Sequence, residues 1–330
     1  MGRYRDQVAE ALAAVTITAP TRYAWLGRAS RPLPTRIEAE LDETQRRGYL
    51  VSCLREELYC SFYSRGGPVP ARWGEPEPPF ADSWLVDAMS RANNGRGSWE
   101  PGWTVERVDR EVAVVADGRL RARVSISDCR AANGAVRLGA AVGVRLPKEL
   151  PELSPGFYTV VGNTADPDPS ASLVRVYWHV TRAGAPALVA ALTSRLNGER
   201  VPFRMKIADH PLRLGRCDAA VLYLHGDVFR VLEKALREIA ATMGTRLQPR
   251  IPAFTLELGP GVGLAEENGG SESFGVRRCA LLADGIVHAR ERGVTDARGR
   301  LDAVAARFAE AGVLIDAPYL EPALEGRHVL

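Results

Sequence analysis

Two segments in the second half of the chain carry polar side chains at every second position. The polar positions are Arg175, Tyr177 and His179 in the first segment and Arg204 and Lys206 in the second, with apolar residues between them. Because side chains alternate between the two faces of a strand, each segment predicts a strand with one polar and one apolar face. Half-exposed antiparallel sheets have the same pattern, so one strand alone does not distinguish a site from an ordinary surface.

Further basic residues flank a third predicted strand and a glycine-rich stretch. Arg216 precedes an apolar run that contains Tyr223. Arg277 and Arg278 end the glycine-rich stretch 259–278, which predicts a loop that carries this pair toward a ligand; a solvated arginine pair is an equal interpretation. The glycines match neither a Walker phosphate loop nor a dinucleotide-binding turn.

Together these residue types favour β-elimination of phosphate from a phosphorylated Ser or Thr. Arginine forks hold a phosphate dianion through charge-assisted hydrogen bonds. A lysine has a reference pKa of about 10.4, and burial beside other cations favours its neutral form. We therefore expect Lys206 to accept the α-proton as a general base, and a protonated His179 to donate to the departing oxygen. This chemistry requires no metal and no cofactor.

The composition of the chain argues against a nucleic-acid-binding, a membrane-spanning and a zinc-binding protein. The chain of 330 residues has a formal net charge of +3, which gives no electrostatic indication of nucleic-acid binding. Only three of the 43 basic residues are lysines, and this draws attention to Lys206 because arginine does not release a proton at working pH. No apolar run is long enough to span a bilayer. Five scattered cysteines without a Cys-x-x-Cys pair predict reduced thiols in a cytoplasmic protein and no zinc site.

The order of predicted elements indicates an α+β fold. In the second half, strands are predicted over 174–180, 203–207 and 219–224, and helices over 186–196, 228–243 and 301–311. We expect a mixed or antiparallel sheet with flanking helices in a lyase domain over residues 151–330. Residues 1–150 are expected to form a helical and β-hairpin region that serves docking or peptide recognition.

The first region contains its own periodic signals. Tyr4, Val8 and Leu12 share one face of a predicted helix. Asp117-Gly118 between two alternating runs predicts a hairpin. The other predicted elements are a helix over 37–63 with a break at Gly48, a surface loop over 66–79, a helix over 83–92 and one or two strands over 136–146.

Longer stretches around these residues resemble the HopA-type family, first named for bacterial type III effectors. The resemblance rests on residues 58–63, 147–158, 201–206, 216–223 and 261–278, and it covers most of the chain. Members of this family also occur in actinobacterial gene clusters for ribosomally made peptides, where they pair with a kinase-like protein. The resemblance implies the lyase component of a split dehydratase, as in class V lanthipeptide and thioamitide biosynthesis.

A more distant resemblance links the same strands to the phosphothreonine lyases of the OspF and SpvC type. It implies a base at Lys206, an acid at His179, a phosphate ligand at Arg216 with Tyr223 beside it, and a second phosphate ligand at Arg277 or Arg278. Where those lyases have a lysine two residues before the histidine, this chain has Tyr177. Arg175 would supply the missing charge.

Three functions follow as hypotheses. The leading one is a lyase that converts a phosphorylated precursor peptide, supplied by a partner kinase, to dehydroalanine or dehydrobutyrine. Lys206, His179 and Tyr223 would be catalytic, and Arg175, Tyr177, Arg204, Arg216, Arg277 and Arg278 would bind phosphate or peptide. The alternatives are a non-catalytic phosphopeptide-binding scaffold and a type III effector that acts on host proteins. Neither nucleic acid nor membrane is an expected partner.

Overall fold

The helices and strands are partly segregated along the chain, as in an α+β fold: the strands within 98–178 follow one another without an α-helix between them in the described residues. The structure is a computed structural model that describes residues 2–66, 80–118, 120–131, 133–151, 153–166, 168, 172–267, 272–322 and 330. The helices in these ranges are α1 Arg3–Ala14, α2 Thr35–Glu40, α3 Glu43–Glu57, α4 Ser83–Ala92, α5 Gly184–Gly198, α6 Gly226–Met243, α7 Phe274–Glu291 and α8 Ala297–Glu310. A π-helix, Leu58–Tyr63, continues α3.

The strands form three antiparallel sheets within the described residues. They are β1 Val15–Ala19, β2 Arg22–Trp25, β3 Arg28–Ala29, β4 Ser98–Asp109, β5 Val112–Ala116, β6 Arg121–Ser125, β7 Cys129–Ala131, β8 Ala141–Leu146, β9 Phe157–Val161, β10 Leu173–Trp178, β11 Arg204–Ala208, β12 Ala220–His225, β13 Leu256–Gly259 and β14 Val262–Glu267. The sheet orders are β1-β2-β3, β6-β5-β4-β8-β7 and β13-β14-β10-β12-β11-β9. The predicted α+β class and antiparallel sheet are therefore confirmed.

The six-stranded sheet has one apolar face that is covered by helices. Val176, Leu222 and Met205, from three adjacent strands, are fully buried on this face. Helices α4, α5 and α6 pack against them, and α5 contributes the leucines at 188, 192 and 196. Burying a leucine side chain stabilises the fold by roughly 1.5–3 kcal/mol. The layer fixes the orientation of the sheet, so that its polar residues must face the other way.

The opposite face is only partly covered. Buried residues of α1, α3, α7 and α8 form a second core, which reaches the sheet at Tyr177, Val221 and Ala265. Glycine permits the closest of these contacts, since a Cβ at Gly275 of α7 would lie 2.3 Å from the ring of Tyr63. A third, smaller core lies under the sheet that contains β4 to β8. The face of β11 and β12 beyond the second core lines open cavities.

Most predicted elements are present with shifted ends, but three predictions are wrong. Gly48 lies inside α3, and the helix break falls instead at Asp42, whose carboxylate and Gln45 form a capping box. Of the predicted strand 136–146, only residues 141–146 are a strand. Loop 66–79, apart from Gly66, lies outside the described residues.

The third correction concerns the glycine-rich stretch 259–278, which is not a loop. It contains the β13–β14 turn, strand β14 and the start of α7, which Ser273 caps. Gly261 has φ +73°, which the turn requires, and a Cβ at Gly263 would lie 2.6 Å from Thr255 Oγ1. These glycines serve close packing and one tight turn. No helix in the described ranges is long and apolar enough to cross a membrane.

Candidate active site

The register of the six-stranded sheet places the predicted polar residues in two neighbouring rows. Arg175, Tyr223 and Arg204 lie side by side on β10, β12 and β11. In the next row, Tyr177 and Lys206 flank Val221 of the central strand. Since opposed residues of an antiparallel pair share a face, all five side chains lie on the polar face. The alternation in the sequence therefore predicted this face correctly.

Lys206 stands between two cavities on this face. It lines one of approximately 330 Å³, here called the Lys206 cavity, together with Arg204, Tyr223 and His225. Its Nζ atom lies 4.6 Å from the ring centroid of Phe157. Phe157 in turn lines a second cavity of approximately 440 Å³, here called the Arg216 cavity, whose other lining residues include Asp209, Arg213, Arg216 and Ala219. Lys206 therefore lines the first cavity and contacts one residue of the second.

The basic residues that line the Lys206 cavity differ in whether a carboxylate pairs with them. Arg204 Nη2 lies 3.4 Å from Glu100 Oε1, and His225 Nε2 lies 2.9 Å from Asp166 Oδ1. Lys206 forms no ion pair with any carboxylate in the described ranges. Among the described residues, Lys206 is thus the cation of this lining without a paired carboxylate, and the buried charge of Asp218 acts on it from a distance.

Arg216 is held by a buried carboxylate. Its Nε and Nη2 atoms donate to the two oxygens of Asp218, each at 2.8 Å, and Nη2 also donates to Tyr59 Oη at 3.0 Å. The Tyr59 hydroxyl donates to Asp218 Oδ2 at 2.9 Å. Burial acts to raise the pKa of Asp218, but attraction and hydrogen bonds from Arg216 outweigh it, so the pKa is lowered. Asp218 therefore stays ionised.

The π-helix explains how Tyr59 reaches this network. A π-helix inserts an extra residue per turn and is frequent at functional sites. Tyr59 stacks on Tyr63 with ring centroids 5.3 Å apart, and burial raises the pKa of both hydroxyls far above the usual range. Tyr59 therefore acts here as a neutral hydrogen-bonding group.

His179 follows β10 directly and is enclosed. Its backbone N–H donates to Gly261 O at 2.9 Å, and its ring Nδ1 lies 3.2 Å from Arg250 O. Burial lowers the pKa of His179, while the carbonyls of Arg250 and Gly215 and the carboxylate of Asp218 act in the opposite direction. The ring thus lies within electrostatic reach of Asp218, and Asp218 also interacts with Lys206.

Two of the predicted ligands, Arg175 and Tyr177, have different surroundings. The guanidinium of Arg175 lies 5.3 Å from the ring centroid of Tyr223, a cation–π contact. Tyr223 lines the Lys206 cavity. Tyr177, by contrast, is 2% exposed and packs against Tyr63 and Phe274 with ring centroids 6.5 Å away in each case. Tyr177 therefore contributes to the second core.

The structure places Arg277 and Arg278 in contact with the segment 318–321. Both lie in the first turns of α7 and both contact Glu321, at 2.5 Å and 3.3 Å. Arg278 is 1% exposed and donates to the carbonyls of Pro318 and Leu320 at 2.7 Å each. Burial lowers the pKa of Arg278. These contacts tie α7 to the segment 318–321.

Sequence reasoning missed three residues of this region. Asp218 follows no periodic pattern, and Tyr59 is brought in by a π-helix that no sequence signal announces. His225 was detectable, because it follows Val221 and Tyr223 at period two and is the last residue of β12. Across the described residues, no group of three or more His, Cys, Asp or Glu side chains is arranged to hold a metal ion.

Comparison with known proteins gives one family and two similar structures. An effector protein from Pseudomonas syringae pv. tomato strain DC3000 is 18% identical, with 82% of this chain and 90% of that chain covered and a TM-score of 0.47. An effector protein from Pseudomonas syringae pv. syringae strain 61 is 18% identical, with 75% and 86% covered and a TM-score of 0.43. No curated protein matches significantly. The model of the HopA1 effector protein family matches residues 149–320, which is more than half of the chain, and the chain therefore belongs to that family.

Proposed function

We propose that this protein is a phosphoserine/phosphothreonine lyase that removes phosphate from a peptide by β-elimination. The observation that carries the proposal is the position of Lys206, which lines the Lys206 cavity, has no ion-pair partner in the described ranges and contacts Phe157 of the Arg216 cavity. Membership in the HopA1 effector protein family is compatible with this reaction but does not demand it.

The reaction divides between a base, an acid and phosphate ligands. Neutral Lys206 takes the α-proton, and the electron pair of the Cα–H bond forms the Cα=Cβ double bond. The Cβ–O bond breaks, and His179, which burial keeps neutral in the free protein and whose protonated form the bound phosphate dianion would favour, gives its proton to the bridging oxygen as inorganic phosphate leaves. The products are a dehydroamino acid and phosphate. The two enzyme groups exchange one proton each with the substrate, so the reaction is balanced without water.

Sheet geometry supports this pairing of Lys206 with His179. The two residues belong to β11 and the end of β10, and β12 lies between them. Neighbouring strands are about 4.8 Å apart, so the two backbones are separated by roughly 10 Å across the sheet. Because His179 lies two residues beyond Tyr177, which shares the row of Lys206, a phosphorylated residue would lie diagonally between the Nζ atom and the imidazole. Ala219, the residue before β12, lines the Arg216 cavity.

Phosphate would bind in the Arg216 cavity. Arg213 and Arg216 line it, and Nη1 of Arg216 makes no hydrogen bond with a described residue. The neighbouring Lys206 cavity, with Arg204 and Tyr223, would hold residues of the peptide next to the phosphorylated one, and Arg175 would support Tyr223. Arg277 and Arg278 are left out of this assignment.

The proposed substrate is a precursor peptide phosphorylated by a partner kinase, as in lanthipeptide-like biosynthesis. The proposal places the reaction in the cytoplasm, because the five cysteines are free and buried, a usage typical of reducing compartments.

Intact mass spectrometry of a phosphoserine and a phosphothreonine peptide, incubated with the protein, tests the proposal. Elimination gives a product one water lighter than the unphosphorylated peptide, and Lys206→Ala should abolish it. Lys234→Ala, which removes an exposed lysine of α6, is the matched control and should leave it unchanged. A product with the mass of the unphosphorylated peptide would indicate a phosphatase. Phosphopeptide binding without any product, even with the kinase present, would favour the non-catalytic scaffold.

A further inference from the structure

Arg216 lines the Arg216 cavity, and hydrogen bonds hold one edge of its guanidinium. A guanidinium has five N–H donors. The Nε donor and both Nη2 donors are directed to Asp218 and to Tyr59 Oη. The two donors on Nη1 make no hydrogen bond within the described part of the chain. This arrangement differs from an exposed arginine, whose fork turns freely.

The network that holds Arg216 is buried. Asp218 is 6% exposed and is contacted from two sides, by the turn that carries Arg216 and by the π-helix that carries Tyr59. Its two oxygens accept three hydrogen bonds, all between 2.8 and 2.9 Å. Bidentate carboxylate–guanidinium pairs of this kind fix geometry more firmly than single contacts do. Asp218 and Arg216 are two residues apart, so a short turn closes the pair.

We propose that Asp218, together with Tyr59, is a positioning residue that fixes Arg216 so that Nη1 points at the phosphate of a bound phosphopeptide. This inference rests on the proposed lyase function for its biological meaning, but it concerns phosphate recognition and is testable without turnover. Asp218 touches no substrate atom. It selects a phosphorylated over an unphosphorylated side chain through the orientation of Arg216.

Binding to phosphorylated and unphosphorylated forms of one peptide, measured by calorimetry in a Lys206→Ala background, tests the proposal. Asp218→Asn keeps the shape but sets an amide against the guanidinium. We expect it to weaken phosphopeptide binding by about 10- to 100-fold, because misplacing a positioned group by about 1 Å costs on the order of 100-fold. Tyr59→Phe removes two hydrogen bonds, one to Asp218 and one from Arg216, and a loss of about threefold to tenfold is expected. Neither should change binding of the unphosphorylated peptide.

Asp284→Asn is the matched control, since Asp284 pairs with Arg47 at 2.7 Å and contributes to neither cavity. It should leave both affinities unchanged. If Asp218→Asn, or Tyr59→Phe should the first variant not fold, binds the phosphopeptide as tightly as the parent, the proposal is overturned.

Turnover by the same variants with Lys206 restored separates this inference from the lyase proposal. Asp218→Asn should raise KM for the phosphopeptide more than it lowers kcat. If the native protein binds phosphopeptide selectively but eliminates nothing, the lyase proposal fails while the role of Asp218 stands. If the native protein does not prefer the phosphopeptide, both fail.

Discussion

Replacing Arg278 tests most directly whether this arginine stabilises the fold or binds phosphate. Its guanidinium donates to two carbonyls of the segment 318–321 and pairs with Glu321, all in a buried setting. Arg278→Met keeps much of the apolar stem and removes every one of these contacts. Removing one partner of a buried ion pair typically destabilises a protein by about 3–5 kcal/mol. The loss of the buried charge itself offsets part of this, because burial already disfavours the cation.

We therefore expect Arg278→Met to lower the free energy of unfolding by about 3–5 kcal/mol, measured by urea unfolding with tryptophan fluorescence. Arg277→Met is the matched control. Arg277 contacts the same Glu321, but its side chain is 22% exposed, so a loss of about 1 kcal/mol is expected. Where the Arg278 variant remains folded, it should bind a phosphopeptide normally. Native stability combined with lost phosphopeptide binding would show that Arg278 is a phosphate ligand and refute this reasoning.

Three further predictions concern stability. Gly275→Ala should cost about 1–3 kcal/mol by overpacking against Tyr63, whereas Gly198→Ala, where a Cβ meets nothing within 4 Å, should not destabilise; thermal melting compares them. Asp42→Ala should cost about 1 kcal/mol, since it removes a capping box, and urea unfolding at neutral pH checks this. Burial lowers the pKa of His179, so the unfolded chain takes up a proton at higher pH than the folded protein does. The free energy of unfolding should therefore fall as pH drops below 6.5. In unfolding curves measured from pH 7.5 down to pH 5, His179→Gln should reduce this fall. If the free energy of unfolding depends on pH equally in both proteins, the enclosed position of the ring is contradicted.

The sheet and its polar face were predictable because strand periodicity is a local property. Arg175, Tyr223, Arg204 and Lys206 alternate with apolar residues, and the structure places all of them on one face. The helices that cover the other face also follow from local spacing, as in the leucines of α5. The spacing of polar and apolar residues does not predict which strands are neighbours. It therefore could not show that β12 lies between β10 and β11.

The network around Arg216 was not predictable for a different reason. Tyr59 and Asp218 are 159 positions apart in the chain and meet only because a π-helix packs against the turn before β12. Nothing in the residues near Asp218 marks it as buried and ionised. Local periodicity identifies faces, but it does not identify which distant elements close over them.

Glycine in the stretch 259–278 was predicted to indicate a loop, but in the structure it permits close packing. Gly263 and Gly275 were interpreted as flexibility, yet each makes room for a neighbouring side chain that a Cβ would strike. Arg277 and Arg278 consequently lie on a rigid helix. Glycine in a sequence predicts either freedom or close approach, and only the packing partner decides between them.

The central claim, that Lys206 is the base of an elimination, is tested most directly by single-turnover kinetics. The rate of dehydroamino-acid formation from a phosphoserine peptide would be compared between the native protein and Lys206→Ala at saturating enzyme. Loss of a general base predicts a rate lower by about 100- to 10,000-fold with phosphopeptide binding retained. A native rate in Lys206→Ala would contradict the account.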